Sequence, residues 1–416
     1  MGSVETTQKK TNYKKKAFQA KLDLIEKNNL TKQTLVDMYR NSYLSRKIDD
    51  AEITMKKQSK AFFQISGAGH EGILSATAKI LKPKYDYFLT YYRDRALCTG
   101  LGVSAYEMLC QANGNVGDTA THGRQMPAHY SNVALNIVSR SSCTGSQFLQ
   151  YCGTAEAGEF FDTVSRDGVG HSFAYHKDEI VYVSCGDGTT SQGEFWESMT
   201  TACVNKLPVM FMVQDNGFAI SVPTFVQTPG GSISKCLSGF PGLKIFECDG
   251  TCPIDSYDTV KQAEEYIRAG NGPVLVHAHV TRPYSHSLSD DHSFYRTKEE
   301  LEQEAKIDTI NTYPEFLIKA GILTKEEKKA IDEKVEKEVK DAIKKAIETA
   351  WPEPSTYMDH LFSMDIDPTS SDFETEPQFT GKADVPMAGA INGARRSEIQ
   401  KNPMMRIFGQ AVADCS

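Results

Sequence analysis

Gly186-Asp187-Gly188-Thr189-Thr190-Ser191-Gln192-Gly193-Glu194, taken with Gln214-Asp215-Asn216-Gly217-Phe218, decides the fold. Ahead of the first piece runs Ile180-Val181-Tyr182-Val183, a short apolar run of the kind found in a strand buried on both faces. Between the two pieces, Phe195 to Lys206 has room for about three helical turns. Val209 to Val213 is a second apolar run. The order is strand, Gly-Asp-Gly turn, helix, strand, Asp-Asn-Gly turn, which makes one βαβ unit. We therefore expect an α/β fold, a parallel sheet flanked by helices. Both turns then fall at the carboxyl ends of parallel strands, where open α/β sheets bind ligands.

The residues of these turns suit a cation held against phosphate. Gly186 and Gly188 let the backbone approach a ligand and reach positive φ. Asp187 offers a hard carboxylate oxygen, Asn216 a neutral amide oxygen, and a backbone carbonyl just after it a third. One carboxylate with few other protein oxygens is what Mg²⁺ takes when phosphate oxygens complete its octahedron. The chain contains no Gly-x-x-x-x-Gly-Lys-Ser/Thr, which excludes a P-loop.

Gly186-Asp187-Gly188 and Asp215-Asn216, with 26 residues between them (189–214), resemble the thiamin diphosphate motif, which usually ends Asn-Asn. Three further stretches extend the likeness: Tyr92-Arg93-Asp94, Gly123-Arg124-Gln125-Met126-Pro127-Ala128-His129-Tyr130, and Ser285-His286-Ser287-Leu288-Ser289-Asp290-Asp291. Over about residues 30–350 the text resembles alpha subunits of the thiamin-dependent decarboxylase component of 2-oxo acid dehydrogenase complexes. Arg-Gln-Met-Pro and Ser-Asp-Asp look most like the branched-chain enzymes. The resemblance implies a thiamin diphosphate-binding fold and oxidative decarboxylation of a 2-oxo acid. The acyl group would pass to the lipoyl group of a partner acyltransferase. A pyruvate dehydrogenase alpha part and a non-catalytic assembly subunit are the alternatives.

Carried onto this chain, the resemblance places Tyr92, Arg93, Ser142, Thr144, Gly186, Asp187, Gly188, Thr189, Asn216, Phe218 and Arg282 at the cofactor. Asp187, Asn216 and the Phe218 carbonyl would hold Mg²⁺. His129 and His286 would serve proton and acyl transfer, a role open to an imidazole near neutral pH. Ser141, Cys143, Ser146 and Gln147 would form a potassium site, with Cys143 in the place of a proline. Ser287 matches a serine phosphorylated in animal branched-chain enzymes. Two departures stand out. Gln214 occupies the place of a diphosphate-binding arginine, and Asp215 that of the first asparagine, so cofactor binding should be weaker or compensated elsewhere.

Composition bounds the remaining classes. Of 416 residues, 40% are hydrophobic and 24% charged, as expected of a globular chain. A net charge of −8 argues against nucleic acid or an anionic membrane as partner. No apolar run approaches the ~18 residues of a membrane span. Residues 1–20 lack the apolar core of a secretory signal and the arginines of a transit peptide, so a cytoplasmic location is expected, or the mitochondrial matrix in a eukaryote. The ten cysteines contain no Cys-x-x-Cys; Cys248 and Cys252 come nearest. Scattered thiols of this kind suggest a reducing compartment and buried side chains.

Along the chain, residues 1–30 read as a disordered or extended arm and 31–351 as the cofactor domain. Thr31 to Lys57 and Glu71 to Leu81 have helical patterns. Thr324-x-x-Glu327 is a capping box opening a long charged helix. Strand-like Pro273 to Thr281 puts His277 and His279 on one face, without a third metal ligand nearby in the sequence. Gly158 to Lys177, with a loop at residues 166–170, has no assigned role. Residues 352–384 read as an acidic, proline-containing linker. Val385 to Pro403 resembles the first helix of a beta subunit, and Arg406 onward its first strand. That pattern implies an alpha–beta fusion cut short or a gene with an early stop, a required beta subunit or beta domain, and an alpha2beta2-type assembly.

Overall fold

The computed structural model describes residues 2–166, 168, 175–359, 361, 367, 369–373 and 385–407; the side chains of residues 2–14 and of Arg166 lie outside that description. In chain order the first elements are α1 (Gly2–Lys27), α2 (Lys32–Lys57), α3 (Glu71–Ile80), β1 (Tyr87–Leu89), α4 (Arg95–Leu101), α5 (Ala105–Asn113) and α6 (Gln147–Arg166). The central unit follows as β2 (Val181–Gly186), α7 (Gly193–Asn205) and β3 (Val209–Asp215). After it come β4 (Phe218–Ala219), β5 (Val222–Pro223), α8 (Thr224–Gln227), α9 (Ile233–Leu237), β6 (Lys244–Asp249), α10 (Pro253–Arg268) and β7 (Val274–His279). Last are α11 (Lys298–Ala305), α12 (Thr309–Lys319), α13 (Lys325–Glu348) and α14 (Met387–Lys401).

Five strands form one parallel sheet in the order β1-β2-β3-β7-β6, and β4 and β5 form a separate small hairpin. Strand residues alternate between two cores. Tyr182, Met210, Met212, Val274 and Val276 pack with residues of α2, α3, α4, α5, α10 and α13. Val181, Val183, Val209, Phe211, Val213 and Leu275 pack with Phe148, Tyr151, Phe195 and Met199 of α6 and α7. Both faces are covered, which is why these strands read as unbroken apolar runs. Of the nine described cysteines, seven are buried; Cys143 is exposed and Cys236 intermediate. Cys248 and Cys252 belong to different cores.

Helix ends follow the sequence closely. The Thr31 side chain accepts from the Thr34 amide at the start of α2. Thr324 and Glu327 form the expected capping box on α13. Arg268, at the end of α10, grips the fully buried Asp86 with both Nη atoms, at 3.0 and 2.8 Å. Asp86 also accepts from the Lys82 and Ile180 amides, so one carboxylate ties α10 to the turns before β1 and β2.

One expectation is corrected. Residues 1–30 are not an extended arm: Gly2–Lys27 is helical, and Phe18, Leu22 and Ile25 pack on the core of α2 and α12. Their spacing makes one helical stripe that the lysine-rich composition hides. Gly158 to Arg166 continues α6, and most of the loop expected at residues 166–170 lies outside the described residues. α10 begins at Pro253, and the Asp255 carboxylate in its first turn accepts from the Asp249 amide at 2.8 Å.

The chain divides into two compact units, residues 1–156 with 178–352, and residues 157–177 with 353–416. The sheet lies in the first. In the second, short 3-10 turns occur at Pro354–Thr356 and Ser371–Phe373, and α14 buries none of its residues. The beta-like strand expected from Arg406 onward falls largely on residues 408–416, outside the described residues.

Candidate active site

Asp187 leaves the end of β2 in a 3-10 turn, Asp187–Ser191. Its Oδ2 accepts from Thr224 Oγ1 at 3.0 Å and Gln227 Nε2 at 3.3 Å. Burial, and then the charge of Asp215, raise its carboxyl to about 6. That carboxylate is short of positive charge, a condition a bound cation relieves. Neither Gly186 nor Gly188 has positive φ, contrary to expectation. Gly188 answers to space instead: a Cβ there would lie 2.7 Å from that of Ala219. The residue that needs the left-handed region is Gly217, with φ 84°.

Asn216, just past β3, is held by a buried chain of hydrogen bonds. Its Nδ2 lies 3.3 Å from His70 Nε2, and His70 Nδ1 lies 2.7 Å from Gln214 Oε1. Gln214 Nε2 donates to Asp94 Oδ1 at 2.6 Å, and the Ser184 hydroxyl donates to Asp94 Oδ2. One assignment satisfies the whole chain: His70 Nδ1–H donates to Gln214, and Nε2 accepts from Asn216. The Asn216 amide oxygen is thereby turned away from His70 and accepts from the Phe218 amide at 3.2 Å. Burial, then the Arg93 charge, drive His70 down to about 3, so it stays neutral.

Arginines close the other side. Arg93 is buried; it donates to the Ser66 carbonyl and, at 3.2 Å, to His286 Nδ1. Burial, then Arg93 and Arg282, lower His286 to about 4, leaving a neutral ring whose proton is on Nε2. The guanidinium carbons of Arg93 and Arg140 lie 5.1 and 5.7 Å from the centre of the Tyr92 ring. Arg282 Nη2 donates to the Tyr295 hydroxyl at 2.8 Å. Arg282 Nε and Nη1 and Arg140 Nη1 are buried with no hydrogen-bond partner.

A cavity of about 250 Å³ is lined by Tyr92, Arg93, Thr144, Gly186, Asp187, Gly188, Thr189, Asn216, Phe218 and His286, with Tyr91, Ala219 and Ile220. Thus most of the residues expected at the cofactor meet around one space. Ser142, His129 and Arg282 do not line it. Ser142 and His129 instead meet each other: Ser142 Oγ lies 2.7 Å from His129 Nε2, while His129 Nδ1 faces the Pro127 carbonyl at 3.2 Å. Burial lowers His129 from its ordinary value.

The profile of the dehydrogenase E1 component matches residues 39–355. The chain belongs to the dehydrogenase E1 component family. Among its relatives, the 2-oxoisovalerate dehydrogenase subunit alpha of Bacillus subtilis (strain 168) is 33% identical over 336 residues, spanning 80% of this chain and 97% of that protein. The pyruvate dehydrogenase E1 component subunit alpha of Mycoplasma genitalium is 30% identical over 329 residues, 78% of this chain and 84% of that one. Its Staphylococcus aureus (strain Mu50) counterpart is 27% identical over 336 residues, 80% and 83% of the two chains.

In this E1 chain, Ser141, Cys143 and Ser146 lie in the turn before α6. Ser146 Oγ donates to the Cys143 carbonyl at 2.9 Å, and Ser141 Oγ accepts from the Cys143 amide at 3.4 Å. Gln147 is buried, its Nε2 donating to the Ser184 carbonyl at 3.0 Å and its Oε1 unpartnered. Ser287 is buried against Ser289, with 2.8 Å between hydroxyls. His70, Asp94, Arg140, Thr224 and Gln227 contact the expected residues or their hydrogen-bond partners, and the sequence assigned them no role. Asp94 adjoins Tyr92-Arg93 and could have been found there. His70 could not, because its partner Gln214 is 144 residues away.

Proposed function

We propose that this chain is the alpha component of a thiamin diphosphate-dependent dehydrogenase for a branched-chain 2-oxo acid. The observation that carries the reading is the single cavity in which Asp187, Asn216 and Phe218 face Arg93 and His286. The residues fit the cofactor's charged end. Arg93 lines the cavity, and Arg282 and Arg140, which do not line it, hold buried donors without hydrogen-bond partners, so their positive charge would favour an anion. They also compensate for the charge that Gln214 lacks. When bound, thiamin diphosphate supplies the electron sink for loss of CO₂.

The chain's own residues then have distinct tasks. Asp187, Asn216 and the Phe218 carbonyl hold Mg²⁺; Tyr92, Arg93 and Arg282 hold the diphosphate, with Ser142, Thr144, Gly186, Gly188 and Thr189 around it. His286 accepts from Arg93 at Nδ1, so its Nε2–H is the group that can donate to a developing oxyanion. His129, with Nδ1 turned to Pro127, can take a proton at Nε2 through the Ser142 hydroxyl. Gln147 Oε1, with Ser141, Cys143 and Ser146, is the set we propose for K⁺.

A beta subunit would complete the site in an alpha2beta2-type assembly, and the lipoyl domain of an acyltransferase would receive the acyl group. Exposed Ile220, which lines the cavity, and exposed Phe225 and Val226 in the following α8 support a docked partner. No helix among the described residues is long and apolar enough to cross a membrane. The pyruvate dehydrogenase relatives favour a second substrate reading. CO₂ release from 3-methyl-2-oxobutanoate and from pyruvate, measured with a beta partner and with or without thiamin diphosphate and Mg²⁺, tests both. Faster turnover of the branched acid, dependent on both additions, is expected. Preference for pyruvate would replace the substrate, and no turnover of either would reject the reading.

A further inference from the structure

The sequence puts His277 and His279 on one face of β7, and the fold adds the missing ligand. In the β3–β7 register Asp215 lies opposite His279; in the β6–β7 register Glu247 lies opposite His277. Residues two apart on a strand, or directly opposite on its neighbours, share a face. One ligand atom from each of Asp215, His277 and His279 lies within 4.8 Å of the other two. The two imidazole rings are 4.3 Å apart. His277 Nε2 is 3.0 Å from Asp215 Oδ2, and His279 Nε2 is 3.3 Å from Glu247 Oε2.

We propose that Asp215, His277 and His279 bind a divalent transition ion of the Zn²⁺ type, at a site with its own ligands beside the Mg²⁺ cup around Asp187, the Thr224 hydroxyl touching Asp187 at 3.0 Å and Asp215 at 3.3 Å. Two imidazoles and one carboxylate suit Zn²⁺ and its neighbours, whereas Mg²⁺ takes oxygen ligands. Tetrahedral ligands ~2.0–2.1 Å from zinc stand ~3.3 Å from one another. The His277–Asp215 pair is already near that separation. His279 is 54% exposed, so its ring is free to swing into place.

The surroundings are those of a ligating histidine. His277 Nδ1 lies 3.0 Å from Ser234 Oγ, and the Ser234 hydroxyl donates to Glu247 Oε1. With that hydroxyl committed, Nδ1–H is the donor to Ser234, and Nε2 is the nitrogen turned to Asp215. A histidine that ligates through one nitrogen ordinarily donates the other to such a polar chain. Glu247 balances the charge, and the exposed side beside His279 is left to water. Asp215 Oδ1 meanwhile accepts from the Gly217 amide at 2.8 Å, so the site grips the turn that carries Asn216 and Phe218.

The test uses the full chain with Mg²⁺ in large excess, so that the Asp187 cup is filled. Zn²⁺ is titrated in competition with a chromogenic chelator, and Co²⁺ is added separately to read its visible absorption. One tight equivalent of Zn²⁺ and a Co²⁺ band of low-coordination intensity are expected. His279→Ala removes a half-exposed side chain and should leave the circular dichroism unchanged. It should abolish the Co²⁺ band and lower Zn²⁺ affinity by more than the ~10–100-fold that loss of an outer partner costs. His122→Ala, exposed in another loop, should change neither reading. The proposal falls if no equivalent of Zn²⁺ binds, if His279→Ala titrates like the parent, or if His122→Ala loses the ion.

Discussion

Asp94 is a carboxylate set by burial rather than by a charged partner. Burial raises it to about 6, against hydrogen bonds from Ser184 and Gln214 that pull it down. The native state therefore holds this proton more tightly than the unfolded chain does. Its contribution to stability is complete below the unfolded value near 4 and is lost as pH rises through about 6. Urea unfolding of the parent and of Asp94→Asn should differ by roughly 1–1.5 kcal/mol more at pH 5 than at pH 7.5, in the parent's favour. A pH-independent difference would contradict the assignment. Asp187→Ala should remove Mg²⁺-dependent binding of thiamin diphosphate while leaving the fold, and unchanged affinity in calorimetry would reject Asp187 as the charged ligand. His129→Ala and His286→Ala should still bind cofactor and lose turnover by on the order of 10²-fold or more. Asp187 and Asn216 were legible because each is tied to a strand end by a few residues. The His70–Gln214–Asp94 chain was not, since only the folded sheet brings its members together.

At the level of elements, Asp86 shows what a single buried carboxylate joins. Arg268→Ala would leave Asp86 with only its two amide partners, inside the protein and without a counter-charge. Breaking a buried pair in this way costs roughly 3–5 kcal/mol, so the denaturation midpoint should fall sharply. A shift no larger than that of an exposed pair such as Lys32–Glu327 would show that water reaches Asp86. The strands β2, β3 and β7 and the capped helices α2 and α13 were legible from local pattern alone. The helix α1 was not, because its three apolar anchors are diluted among lysines and gain their meaning only from Phe316 across the packing, 5.2 Å from Phe18 between ring centres. Likewise, Gly69 reads as an ordinary turn residue, yet a Cβ there would sit 2.1 Å from the Thr281 carbonyl.

For the whole molecule, the cavity and its apolar rim predict dependence on a second chain. The 416-residue protein by itself should release no CO₂ from either acid, and a beta partner should restore turnover. Robust turnover without a partner would overturn the two-subunit site. Phe225→Asp, on a side chain 77% exposed, should weaken that association in sedimentation while leaving the melting temperature of the isolated chain unchanged.

The buried thiols give this protein a set of internal clocks. Cys143 stands in the open, Cys236 half-covered, and Cys98 and Cys185 deep beneath opposite faces of the sheet. Burial pushes the Cys185 thiol well above its ordinary value, so it stays inert until the layer over it lifts. Alkylation followed over time would then record a separate opening rate for each layer. Because Cys185 adjoins Gly186, filling the cation cup should slow its labelling while leaving the Cys143 rate as it was.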